Sequence, residues 1–243
     1  MNSNKWVERG LAASGQFVII VAGVLGALWA QDWQDDRSAR TTEIAHLSGL
    51  HRGITQARSN LVFADSISRG RAAMLGRFLA RPDTLESMSI HQSDSLLYEG
   101  LFRQAGPSTA LPAYDDLKSS GELGTLGSLE LRRVLQVIEG AMTTLDIDLR
   151  LRSDAQARDL DPILASRTNF AQLMNAFGGD SIPMEGPPAD HSDLLSAQDV
   201  QSSIAFKIGL TRVVLHGNER LLAAYDEALQ LIEARLSELD ATQ

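Results

Sequence analysis

The sequence predicts an all-α protein: an N-terminal transmembrane helix continuous with an elongated, roughly four-helix antiparallel bundle. Three observations carry that expectation. Apolar residues make up 44% of the 243-residue chain but aromatics only 5%, which suits aliphatic helices better than sheets, where β-branched and aromatic residues accumulate. The stretch from Gly10 to Gln31 holds no charge, and the helical period carries on past it without a stop signal. Beyond it, apolar residues recur at alternating spacings of three and four along several long segments.

The anchor comes first. As a helix rising about 1.5 Å per residue, Gly10 to Gln31 spans roughly 33 Å, against a hydrocarbon core of about 30 Å. Its apolar side chains include Phe17, Ile19, Ile20, Val24, Leu25 and Leu28, and Trp29 and Trp33 close it one turn apart, where interfacial indoles are expected. A cleaved signal peptide is the rival reading, with a buried core helix as a third. Cleavage needs small residues at −3 and −1, and a cut after Ala30 puts Leu28 at −3. Ala22, Gly26 and Ala30 share one helix face, a small-xxx-small pattern that permits close approach of a second membrane helix. Lys5 and Arg9 before the span balance Arg37 and Arg40 after it. The acids Asp32, Asp35 and Asp36 tilt the expected orientation towards residues 1–9 as a short cytoplasmic tail and the body outside, in the periplasm of a bacterial inner membrane. No later segment has an uncharged run of comparable length, so a single pass is expected.

Residues 32–243 form the expected bundle domain. Ile44, Leu47, Leu50, Ile54, Ala57, Leu61 and Ala64 make one stripe, and no stop occurs before Arg81-Pro82, so the first helix should reach about residue 80. Asp83-Thr84-Leu85-Glu86 has capping-box spacing and predicts a second helix running to about Arg103. A loop is expected near 104–113. A third helix opens at Ser128 with the stripe Leu131, Leu135, Ile138, Met142, Leu145 and Leu149, interrupted at Asp161-Pro162 and followed by a short helix through Phe170, Leu173 and Phe177. Gly178 to Asp190 reads as a linker, within a loop near 178–191. The last helix, from about Ser192 to Leu239, is the most regular. Leu215, Leu222, Leu229 and Leu236 recur at heptad spacing, with Thr211, Asn218, Tyr225, Ile232 and Leu239 on the companion seam, and this describes coiled-coil packing, expected inside a bundle, with packing between subunits as the alternative.

Net charge is −9 and no Lys/Arg cluster makes a stripe, so no nucleic-acid partner is expected. Cysteine is absent, which excludes disulfides, thiolate metal sites and cysteine nucleophiles. Glu43 and His46 have the Glu-x-x-His spacing of di-iron carboxylate bundles, but no second copy accompanies them. The serines lack a G-x-S-x-G context, and Lys118-Ser119 follows Leu117 where a phosphate-binding loop requires glycine. No catalytic residue, cofactor or metal site is assigned.

Residues 112 to 133, PAYDDLKSSGELGTLGSLELRR, read as a helix–loop–helix corner. Leu117 and Leu123 pack, Lys118 is solvated, Ser119 and Ser120 satisfy backbone groups, Gly121 ends one helix at positive φ, and Ser128 caps the next. With the anchor run Gly23 to Leu28 and Trp33, this corner resembles a bacterial family of uncharacterised single-pass membrane proteins. Its members look like a G-V-L-x-A-L anchor followed by an L-K-S-S-G-x-L corner and a Leu-Arg pair, here Leu117 to Leu123 and Leu131-Arg132. The family often carries an aromatic pair where Val137 and Ile138 stand here, so a role tied to those aromatics does not transfer. The resemblance covers about the first 135 residues and implies architecture and localisation without a mechanism. The expectation is a membrane-anchored, non-catalytic interaction or scaffold protein. Its partners would be the bilayer and another membrane protein or a second copy of itself. A ligand-sensing bundle that signals through a membrane partner is the alternative, and a helical metal-dependent enzyme the third.

Overall fold

The structure, a computed structural model, describes residues 4–103, 106–108, 110–177, 182 and 188–241; the side chains of residues 4–24 and 27 lie outside that description. Among the described residues there are helices and connecting turns and no strand. Helix α1, Asn4–Ala80, is a single 77-residue rod that passes through Gln31 to Asp36 without a break. Its expected stripe faces inward: Leu47, Leu50, Ile54, Ala57, Leu61 and Ala64 are buried, with Ile44 packed at the edge. Burying such a stripe is what lets a helix with four glycines between residues 49 and 76 persist, since each costs up to about 1 kcal/mol relative to alanine.

The expected second helix is reorganised. Pro82–Leu85 is one 3₁₀ turn, and the true capping box lies further on, where the Ser89 hydroxyl accepts from the Gln92 N–H and the Gln92 side chain accepts from the Ser89 N–H. Asp83 and Glu86 have the right spacing, but the fixed proline φ at Pro82 starts a tight turn there instead. Helix α2, Ile90–Leu97, then widens into a π-helical turn over Tyr98–Phe102. Helix α3, Pro112–Ser119, begins on its proline and ends at Gly121, whose φ of +76° is the left-handed conformation that glycine adopts without strain.

Helix α4, Leu129–Ala155, starts where expected: the Ser128 hydroxyl accepts from the Leu131 N–H at 3.1 Å. Asp161-Pro162 does not break the chain as the sequence suggests. A π-helical turn over Gln156–Leu160 absorbs an extra residue, and the proline falls in the first turn of α5, Asp161–Arg167, where its missing N–H costs nothing. Helix α6, Phe170–Phe177, is the expected short one. Most of the linker from Gly178 to Asp190 lies outside the described residues. After a 3₁₀ turn over Ser192–Ser196, helix α7 runs from Gln198 to Ala241.

Three long helices, α1, α4 and α7, form the spine among the described residues; short helices occupy the place of the expected fourth. Helix α7 runs antiparallel to α1, as the descending order of its ion pairs shows: Arg235 with Glu43, Asp226 with Arg58, Glu219 with Arg69. It also runs antiparallel to α4, with Gly217 seated against Leu145 and Lys207 level with Arg152. Two apolar clusters follow one another along the rod. The first joins α1, α3, α4 and α7 around Leu50, Leu135 and Tyr225, and the second gathers Leu75, Phe78, Leu97, Leu164, Leu173 and Ile204 at the end far from the N-terminus.

Candidate functional site

The anchor residues Phe17, Ile19, Ile20, Ala22 and Val24 have side chains outside the described set. Leu25, Gly26, Leu28, Trp29, Ala30 and Trp33 are exposed, Trp29 by 72%, and the Arg37 guanidinium lies 5.6 Å from the Trp33 ring. Among the described residues no helix is long and apolar enough to cross a membrane. Leu25, Leu28, Trp29 and Trp33 stand on helix α1 as exposed large apolar side chains.

At the corner, Leu117 and Leu131 are buried, and Leu123 packs on the core at its edge. Ser119 and Ser120 donate to the carbonyls of Asp116 and Leu117. Lys118 is exposed as expected and also pairs with Glu139 of α4, and the Tyr114 hydroxyl donates to the other Glu139 oxygen at 2.8 Å. That pairing is long-range and has no local signature. Arg132 is half-buried and Val137 exposed.

On α7 the central line is Leu215, Asn218, Tyr225 and Ile232, all buried, with Leu221, Ala224 and Ala228 beside them. Leu222, Leu229 and Leu236 are half-buried and flank it. The helix packs on two neighbours at once, so its buried face is broader than a two-stranded seam and is centred one step round from the heptad leucines. The Asn218 amide donates to Asp65 at 3.2 Å, tying the centre of α7 to α1.

Glu43 and His46 serve packing. Glu43 accepts from Arg235 at 2.9 and 3.1 Å and from the Gly127 N–H at 2.8 Å. These bonds, that to Arg235 first, hold its carboxyl below the usual carboxylate range. A Cβ at Gly127 would come within 2.6 Å of Arg235 Nη2 and 2.9 Å of Glu43 Oε1, so any larger residue would require this pair to shift. His46 lies between Thr125 and Glu122. Among the described residues no three His, Asp or Glu side chains are grouped to hold a metal.

The most unusual polar cluster lies between the two apolar clusters, where α1, α4, α7 and both π-helical turns meet. Its focus is the Leu101 carbonyl, one of the last of a helix that ends at Phe102 and so lacking an intrahelical partner. Lys207 Nζ and Gln156 Nε2 (3.1 Å) both donate to it. Gln156 also donates to Asp161. Arg71 donates through Nε and Nη2 to Glu99 Oε1 at 3.0 and 2.9 Å, while Arg103 donates to Glu99 Oε2 at 2.8 Å. Beside them is a small cavity of about 20 Å³ lined by Ser68, Arg71, Leu75, Arg103, Arg152, Gln156, Lys207 and Thr211. Four of those eight side chains are cationic and none is acidic.

Burial pushes the Lys207 ammonium down to about 7; Arg152 and Arg71 add to the fall, and Asp161 opposes it. Burial, with Arg71 beside it, also lowers Arg152. For Lys207 the unfolded chain holds a proton up to about pH 10.4 while the folded one releases it near 7, so unfolding takes up a proton in that window. Stability is therefore expected to rise by about a few kcal/mol between pH 7 and 10. Lys207→Met should flatten that slope in urea titrations followed by circular dichroism.

The sequence did hold one trace of this site. Lys207 stands between Ile204, Ile208 and Thr211 on the apolar face of α7, where a lysine is out of pattern. The three arginines stand in ordinary amphipathic positions and gave none. A wider surface cleft of about 680 Å³ lies between α5 and the start of α7. Its charged groups engage their neighbours, Arg167 with Asp199 and Asp159 with Arg158. No family model, curated protein or solved structure matches the chain.

Proposed function

We propose that the chain is a membrane-tethered helical scaffold: a non-catalytic bundle held at a bilayer by the segment from Gly10 to Gln31 and exposed on the far side from its N-terminus. The supporting observation is the single uninterrupted helix α1, which joins that uncharged segment to a stripe buried in the bundle core. A rigid connection of this kind holds the bundle at a set distance and orientation, as suits an interaction subunit and not a freely diffusing domain. The exposed Trp29 and Trp33 are in keeping with an interfacial belt, and Ala22, Gly26 and Ala30 with helix pairing in the bilayer. Membership of the single-pass family that the corner resembles belongs to the same proposal.

Cell fractionation with a C-terminal reporter tests it. The chain should sediment with membranes and resist carbonate extraction, with the reporter active on the periplasmic side. Gly26→Leu should weaken self-association or partner capture without releasing the chain from the membrane. Full recovery in the soluble fraction would overturn the tether, and a reporter active only in the cytoplasm would reverse the orientation. A second reading, a bundle that senses a small ligand and signals through a membrane partner, is favoured by the cationic cavity.

A further inference from the structure

We propose that the cavity enclosed by Arg71, Arg103, Arg152, Gln156 and Lys207 binds one small inorganic anion of halide size. The inference stands on the cavity alone and needs no membrane attachment.

Charge is the first argument. Four cations converge on a small space that has no carboxylate among its described lining residues. Among the described residues, Glu99 bridges Arg71 and Arg103 from one side, and Asp161 stands beyond Gln156 on another. Arg71 and Lys207 lie largely out of water, where like charges repel one another more than at a surface, and a bound anion reverses that repulsion. Burial has already driven Lys207 towards its neutral form, and an anion beside it would restore the charged one.

Donor chemistry is the second. The Ser68 and Thr211 hydroxyls donate to the carbonyls of Ala64 and Lys207 in their own helices, so the strong-donor side chains that line the space are the guanidinium, ammonium and amide groups. Leu75 supplies an apolar wall, which suits an ion that gives up its water readily.

Size is the third. About 20 Å³ exceeds the roughly 10–15 Å³ that one water requires and falls far short of the roughly 300 Å³ where organic ligand pockets begin. That is the scale of a monatomic ion and not of an organic ligand. The π-helical turn Gln156–Leu160 contributes Gln156 to the lining, the turn Tyr98–Phe102 supplies the Leu101 carbonyl that Gln156 and Lys207 bond, and such turns are frequent at binding sites.

The test uses the full chain in a non-ionic detergent at pH 7, with gluconate exchanged for chloride at constant ionic strength so that screening does not change. The thermal midpoint should climb with chloride and saturate, with bromide acting likewise. Lys207→Met and Arg152→Met should each weaken half-saturation by roughly tenfold or more, the effect of losing one hydrogen bond to a charged group. Glu99→Gln, which keeps every cation and removes the competing carboxylate, should tighten it. A wild-type midpoint indifferent to chloride would overturn the proposal, as would an equal response in Lys207→Met and Arg152→Met. A response to sulfate or phosphate alone would overturn the halide assignment. Should the cation variants fail to fold, an unchanged half-saturation in Glu99→Gln decides against the site.

Discussion

Tyr225→Ala is expected to destabilise the bundle by about 3–5 kcal/mol, the largest effect of any single truncation in α7. Tyr225 is 1% exposed and is the largest fully buried side chain among the described residues. It stands where α7 meets the first apolar cluster, with Leu221, Ala224 and Ala228 around it. Neighbours on two helices already hold one another in place, so the site cannot collapse to fill the void, and the cavity adds its cost to the lost transfer energy. Leu229→Ala supplies the contrast. Leu229 belongs to the heptad leucines but lies half-buried on the flank, and its truncation should cost clearly less, about 1–2 kcal/mol. Urea denaturation of both variants checks the order. Equal losses would mean that α7 packs through its leucines as a narrow two-helix seam.

His191→Ala should cost about 3–5 kcal/mol and loosen the far end of the bundle before the rest. His191 and Asp94 side chains are each 2% exposed, and His191 Nδ1 lies 2.8 Å from Asp94 Oδ1. The Asn169 backbone N–H donates to His191 Nε2 at 3.1 Å, so Nε2 carries no proton and Nδ1–H donates to Asp94. The Gln172 amide donates to Asp94 Oδ2 at 2.6 Å and to the Ala189 carbonyl at 2.8 Å, and the Ala189 N–H returns a bond to Gln172 at 2.7 Å. This network fastens the end of the linker to α2 and α6. Removing the imidazole leaves a buried carboxylate with one donor fewer and an orphaned N–H at Asn169. Hydrogen exchange should show α2 and α6 losing protection while the α1–α7 contact near Arg58 and Asp226 keeps it. Uniform loss along the whole rod would show that the two apolar clusters unfold as one.

Arg58 and Asp226 illustrate how little surface pairs contribute to such a ledger. Their ion pair is close, but both side chains are more than two-fifths exposed, so it orients α7 on α1 more than it stabilises it. The residues that determine stability are buried apolar ones and the polar groups trapped between them.

Much of this architecture was legible in the chain. The α1 stripe from Leu47 to Ala64, the α4 stripe from Leu131 to Leu145, the Ser128 cap and the Gly121 turn all follow from helical period and backbone chemistry within a few residues. Local rules competed at two places. Asp83 and Glu86 have capping-box spacing, yet Pro82 starts a tight turn and Ser89 with Gln92 make the cap instead. Pro162 reads as a break, yet the π-helical turn before it places it where a proline is harmless. At each place the neighbours decided which of two locally acceptable conformations won.

The sequence by itself determined which segments coil and which stripe each turns inward, because a helix repeats every 3.6 residues and that period is written locally. Only the tertiary structure decided that the centre of α7 runs through Leu215, Asn218, Tyr225 and Ile232 and leaves Leu222, Leu229 and Leu236 on the flank, that Lys118 answers to Glu139, and that Arg71, Arg103, Arg152 and Lys207 share one cavity. Those outcomes depend on how three rods are stacked and at what register, and the groups that meet are separated along the chain by tens of residues. No periodicity within one helix encodes which residue of another will stand opposite it.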